Sequence, residues 1–84
     1  SLVLLERTIR MIMDLGYTIS NIDSTVCLQN PKIGPYIEDM RSALSLAMGI
    51  AKNQISIKAT TEEKLGFTGR EEGIAVYAVV LIVK

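Results

Sequence analysis

Apolar residues along the chain recur with two periods, and the switches between them mark out the elements. From Leu2 to Leu15, the residues Leu2, Leu5, Ile9, Ile12 and Met13 return at intervals of three and four, predicting a helix with one buried stripe. Gly16 follows the last of them, where a helix takes its C′ glycine. Between Tyr17 and Leu28 the period shortens to two. Ile22, Val26 and Leu28 fall on one side and Asn21, Asp23 and Thr25 on the other, which predicts a strand with one wetter face. The run Gln29-Asn30-Pro31-Lys32-Ile33-Gly34-Pro35 cannot extend that strand, because its prolines have no N–H for the ladder. Pro35 suits the first turn of a second helix, whose stripe is Ile37, Met40, Leu44 and Met48, up to Gly49. Gln54 to Thr60 alternates Ile55, Ile57 and Ala59 against Ser56, Lys58 and Thr60. Gly73 to Val83 is almost continuously apolar, which predicts a strand covered on both faces.

The order helix–strand–helix–strand–loop–strand implies an α+β fold with helices on one face of a mixed sheet. Eighty-four residues make one small domain. At 49% apolar residues and a mean hydropathy of +0.33, the chain carries more grease than such a domain hides. A domain of this size buries only about 60–65% of its unfolded surface. Some apolar surface is therefore expected to meet another subunit or another part of the protein, for instance by packing the sheet's second face, expected to be apolar, on neighbouring sheets.

Nine basic residues balance nine acidic ones. With this hydropathy the balance excludes disorder, and it argues against a nucleic-acid binder, which needs a basic surface. Cys27 is the one cysteine; no intrachain disulfide is available, and a reducing compartment is expected. With no histidine in the chain, Ser–His and Cys–His dyads and histidine metal ligands are excluded. The apolar start Ser1–Leu5 soon meets Glu6, Arg7 and Arg10, so it reads as neither signal peptide nor membrane span; it reads as entry in mid-element.

Chemistry concentrates in Lys58-Ala59-Thr60-Thr61-Glu62-Glu63-Lys64-Leu65-Gly66-Phe67-Thr68-Gly69-Arg70, a connection longer than a hairpin needs. Thr60 and Glu63 have capping-box spacing, with Thr61 as a competing N-cap. A short helix starting there would offer backbone N–H groups and hydroxyls to an anion. Glu62 and Glu63 would repel a bare phosphate unless a divalent cation lay between, and Mg²⁺ commonly combines one carboxylate with substrate phosphates. Gly66 and Gly69 permit tight turns, and Arg70 supplies a fixed positive charge. The residues alone leave two readings open: a metal–diphosphate site, or a capped turn beside a solvated arginine. For the proline loop, the alternatives are a base-reading edge with Lys32 near a phosphate, or an ordinary strand-to-helix turn. Cys27 reads as a small buried hydrophobe, and Met11, Met13, Met40 and Met48 as core filler.

This long motif, continued by Glu72-Gly73-Ile74-Ala75, resembles the C-terminal signature of the 2-C-methyl-D-erythritol 2,4-cyclodiphosphate synthase family. Gly16-Tyr17, Asn21-Ile22-Asp23 and Gln29-x-Pro31-Lys32 support the resemblance, which runs through all 84 residues. It implies a lyase of the non-mevalonate isoprenoid pathway, acting on 4-diphosphocytidyl-2-C-methyl-D-erythritol 2-phosphate. The 2-phosphate attacks the β-phosphorus and CMP leaves, so that the cyclic diphosphate forms. It further implies a homotrimer with sheets around a threefold axis and active sites between subunits. Residues 1–84 would be the C-terminal portion of a single domain and inactive alone, the zinc-binding N-terminal portion lying outside them.

By the same resemblance, Leu28, Gln29, Asn30, Pro31, Lys32, Ile33 and Gly34 form the cytidine pocket. Ala59, Thr60, Thr61, Glu62 and Glu63 surround the ribose and diphosphate. Thr61 and Glu63 carry the catalytic roles, Thr61 orienting phosphates and Glu63 holding a second divalent ion, Mg²⁺ or Mn²⁺, beside the zinc. Phe67 and Arg70 belong to the same motif, and Arg70 with Glu72 faces an axial cavity for isoprenoid diphosphates. Glu62 stands where a hydroxyl residue is frequent, and Leu28 where a smaller one is. No membrane or nucleic-acid partner is implied, and the setting would be a bacterial cytoplasm or a plastid-type organelle. A non-catalytic trimeric module binding a nucleotide or an isoprenoid diphosphate is the competing reading.

Overall fold

The structure is a computed structural model describing residues 1–84. Helix α1 (Leu2–Asp14) leads to strand β1 (Thr18–Cys27). A 3₁₀ turn (Gly34–Tyr36) opens helix α2 (Ile37–Met48), and a second (Lys52–Gln54) enters strand β2 (Ile55–Thr60). A four-residue helix α3 (Gly66–Gly69) precedes strand β3 (Ala75–Val83). The sheet order is β2-β1-β3, with β2 parallel and β3 antiparallel to β1. The sheet is thus mixed, with α1 and α2 packed on one face, as the element order implies.

α1 ends in a Schellman motif. Gly16 sits at φ +88°, and the N–H groups of Gly16 and Tyr17 donate to the carbonyls of Met13 and Ile12 at 2.9 and 3.2 Å. The stripe that packs is Leu5, Ile9 and Ile12. Leu2 and Met13 are exposed, and so is Met11, so these methionines do not fill the core as expected. Met48 is buried and Met40 half-buried.

One continuous layer holds the molecule together. Ile9, Ile19 and Met48 form one centre and Val26, Ile55 and Ile57 the other, with Leu44 and Ile50 packed against both. Ile19 and Ile22 both face the helices despite their odd spacing. A bulge at Ser20 shifts the β1–β3 register between Ile19 and Asn21 and restores the phase. Gln54 fastens this bulge: its Nε2 donates to the Ser20 carbonyl at 2.9 Å and the Ile19 carbonyl at 3.3 Å.

β3 departs from expectation. Continuous apolarity predicts cover on both faces, yet eight of its nine residues are exposed. β3 pairs only with β1, and no β3 residue joins the two core clusters that α1 and α2 build with β1 and β2. The sheet's second face is not uniformly apolar either: Asn21, Asp23, Ser56 and Lys58 are exposed there, with an Asp23–Lys58 ion pair, and only β3 adds grease through Tyr77, Val79, Leu81 and Val83. Nine of the 84 residues are buried, and the radius of gyration is 14.4 Å, against about 12 Å for a compact domain of this length. No helix is long and apolar enough to cross a membrane.

Candidate functional site

Because β1 and β2 run parallel, their C-terminal residues Cys27 and Thr60 are partners, and the Leu28 N–H donates to the Thr60 carbonyl at 3.1 Å. The two exits therefore share one rim, the position at which open α/β sheets bind ligands. A cleft of about 320 Å³ opens there. Val26 and Leu28 line it from β1 and its exit, Lys32, Ile33, Gly34 and Pro35 from the proline loop, and Ala59, Thr60 and Thr61 from β2. Lys32 is the only charged residue among them. Segments separated by a whole helix thus meet around an apolar slot with hydroxyls and one ammonium at its edge. Such a surface suits a flat heterocycle whose charged end projects to the rim.

Thr61 Oγ1 lies 3.5 Å from Glu63 Oε1, longer than a full-strength hydrogen bond. The two groups face one another with capacity left for a third partner. The capping box expected from Thr60 and Glu63 does not form. Thr60 completes the β1–β2 ladder, its hydroxyl donates to the Thr61 carbonyl at 3.3 Å, and the helix begins only at Gly66, without a side-chain cap. Glu63 (φ +52°) and Lys64 (φ +64°) instead reverse the chain in left-handed conformations. No helix terminus therefore presents its N–H groups at Thr60 and Thr61; the turn offers hydroxyls and a carboxylate instead.

The remaining residues singled out from sequence lie around this cleft rather than in it. Glu62 and Phe67 line a depression of about 310 Å³ with Thr68 and Tyr77. Gln29, Asn30 and Arg70 line a polar recess of about 570 Å³ with Lys64, Gly69 and Glu71. The Arg70 guanidinium donates to Glu72 Oε1 at 2.6 Å. Pro31 follows a cis peptide bond in the same loop. Cys27 is buried as expected; burial, then the Glu62 carboxylate beside it, push its thiol pKa up. An inert thiol results.

The sequence gives no role to Glu71 or Lys64, and offers Gly69 only as a residue permitting a tight turn. Glu71 Oε1 accepts from Asn30 Nδ2 at 2.5 Å, and Gln29 Oε1 accepts from the Lys64 N–H at 3.3 Å. A Cβ on Gly69 would lie 2.5 Å from the Lys64 carbonyl carbon, so only glycine lets these turns touch. Gly66 and Gly69, three residues apart on either side of Phe67 and Thr68, are the one sequence signal for that approach.

As a metal binder, the rim offers one carboxylate, Glu63, and one hydroxyl, Thr61. No three His, Cys, Asp or Glu side chains converge in this chain. That donor set fits an oxygen-seeking cation completing its shell with phosphate oxygens and water. It does not fit a four-coordinate zinc site.

Known proteins similar to this chain in sequence and in shape agree with one another. The chain is 56% identical over all 84 residues to the 2-C-methyl-D-erythritol 2,4-cyclodiphosphate synthase of Cytophaga hutchinsonii, covering 53% of that protein. It is 55% identical over 82 residues to the synthase of Bacteroides fragilis, covering 52%. The crystal structure of the Plasmodium vivax synthase superposes with a TM-score of 0.96 at 32% identity, over 99% of this chain and 55% of that one. The Plasmodium falciparum IspF in complex with CDP gives 0.94 at 32%, over 98% and 53%. The chain spans about half the length of the curated relatives it matches. The sequence model of the YgbB family matches residues 1–83, and the chain belongs to that family.

Proposed function

We propose that this chain is the cytidine-nucleotide side of a 2-C-methyl-D-erythritol 2,4-cyclodiphosphate synthase, which closes the cyclic diphosphate and releases CMP. One observation carries the reading. Leu28, residues 32–35 and residues 59–61 converge on a single cleft with Thr61 and Glu63 facing each other at its rim. The base enters the apolar slot against backbone groups of Lys32, Ile33 and Gly34, with Leu28 and Ala59 packing on base and ribose. The diphosphate then reaches Thr60 and Thr61. Lys32 neutralises phosphate charge, and Glu63 holds a divalent ion, Mg²⁺ or Mn²⁺, whose part is to screen the phosphates during in-line displacement. The CDP bound to the Plasmodium falciparum relative supports this choice of ligand.

Residues 1–84 act as the C-terminal portion of one domain, and the catalytic zinc is held by residues outside them; the chain alone is inactive. The exposed strand β3 supports a homotrimer in which sheets pack around a threefold axis, and Arg70 and Glu72 turn towards an axial cavity for an isoprenoid diphosphate. The bacterial relatives support a bacterial cytoplasm over a plastid.

Glu63→Gln in the full-length protein tests the reading. CMP release with Mg²⁺ falls by about a hundredfold, or ~2.7 kcal/mol of transition-state stabilisation. Wild-type turnover in that variant removes Glu63 from the metal. A wild-type protein that binds CDP but never releases CMP from substrate is instead a nucleotide-binding module.

A further inference from the structure

Gln29 and Asn30 directly follow Leu28, yet they do not line the nucleotide cleft. They line the polar recess instead. There each reaches across a long sequence separation to the opposite loop, 35 residues for Gln29 to Lys64 and 41 for Asn30 to Glu71. The two residues they hold share an unusual conformation: Lys64 lies at φ +64° and Glu71 at φ +61°. Residues with a Cβ are disfavoured there and persist where the surroundings over-determine them. Gly69 closes the arrangement by stacking directly on the Lys64 backbone.

The geometry has a mechanical consequence. The Lys64 N–H belongs to the peptide plane that leaves Glu63, and that plane is rigid. The Gln29 hydrogen bond therefore fixes how Glu63 is presented at the rim. Asn30 fixes Glu71, the pivot between Arg70 and Glu72, and through Gly69 the same packed turn. We infer that Gln29 and Asn30 are positioning residues: with Glu71 they form a double clasp that ties the carboxylate-bearing turn to the nucleotide loop. Nucleotide binding on one side and cation binding on the other are then supported by one rigid unit. The clasp itself stands on geometry; its effect on the cation rests on the proposed function.

The test uses the full-length protein. Asn30→Ala and Glu71→Ala each raise the Mg²⁺ concentration for half-maximal CMP release by about tenfold, the scale of lost support behind a metal ligand. CMP affinity stays at the wild-type value, and the double variant is no worse than either single one. Glu71→Gln, which keeps an acceptor for Asn30, recovers the wild-type metal requirement. Weakened CMP binding in Asn30→Ala with a silent Glu71→Ala would make Asn30 a nucleotide contact and overturn the clasp. Amide hydrogen exchange across 63–72 provides an arm independent of turnover. It accelerates in both alanine variants, and unchanged exchange overturns the clasp whatever the activity. If exchange accelerates but the wild-type protein never turns over substrate, the clasp stands and the synthase reading falls.

Discussion

β2 and β3 flank β1 on opposite sides, yet one is covered and the other bare. β2 alternates, and its Ile55 and Ile57 are buried at 2% and 9% exposure under α2. β3 has no alternation, and Val79 is 74% exposed. Hydrophobicity alone would rank β3 as the more deeply buried strand. The difference lies in who supplies the cover. Alternation marks a strand whose second face meets water, while unbroken apolarity left bare by its own chain marks a surface suited to contact with other protein. In the proposed trimer that cover is a neighbouring sheet.

The largest effect that sharpens this contrast sits on β2. Ile55→Ala destabilises the full-length protein by about 2–5 kcal/mol in urea denaturation, because the site cannot collapse around the lost methyls. Val79→Ala on β3 costs no more than about 0.5 kcal/mol when unfolding is measured in dilute, dissociated protein. Its effect appears in sedimentation instead, as weaker association. If Val79→Ala unfolds the dissociated chain as readily as Ile55→Ala does, β3 is covered by its own chain and the contrast is lost.

How far each region was legible follows the same division. Local periodicity reported α1, α2 and β2 because their stripes answer to partners nearby in the fold. Leu5, Ile9 and Ile12 pack where the three-and-four spacing puts them, whereas Leu2, on the same stripe but at the first residue of the helix, and Met13, beside the stripe, are exposed. The bulge at Ser20 was invisible, since it is held by Gln54 from a distant turn. The capping-box spacing at Thr60 misled for a related reason: β2 pairing with β1 claims Thr60 for the ladder before any helix can start. The family resemblance pointed to Leu28, Lys32, Ile33, Gly34, Ala59, Thr60 and Thr61, which the fold gathers around one cleft, but also to Gln29, Asn30 and Pro31, which do not line it; nothing in it pointed to the clasp. Asn30 and Glu71 have no local pattern joining them, and Glu71 in a left-handed turn contradicts ordinary propensity.

The smallest expected effect lies where β2 is fastened to α2, a fastening β3 lacks. Arg41 Nε donates to the Ile55 carbonyl at 3.0 Å and its Nη2 to the Lys52 carbonyl at 2.7 Å. Glu38 accepts from Lys52 Nζ at 2.9 Å and Arg41 Nη1 at 2.5 Å. Those bonds, the Lys52 one first, hold the Glu38 carboxyl below its ordinary 4.5. A carboxylate with a depressed folded pKa contributes stability that is fully present above the unfolded value and disappears as pH falls through the folded one. Glu38→Gln is therefore slightly less stable than wild type at neutral pH, and the gap closes on acidification below 4.5. Added salt narrows it too, because the pair is exposed. A gap that widens in acid would mean that Glu38 serves β2 through packing rather than charge, and the entry to β2 would then be held by Arg41 and its two carbonyls alone.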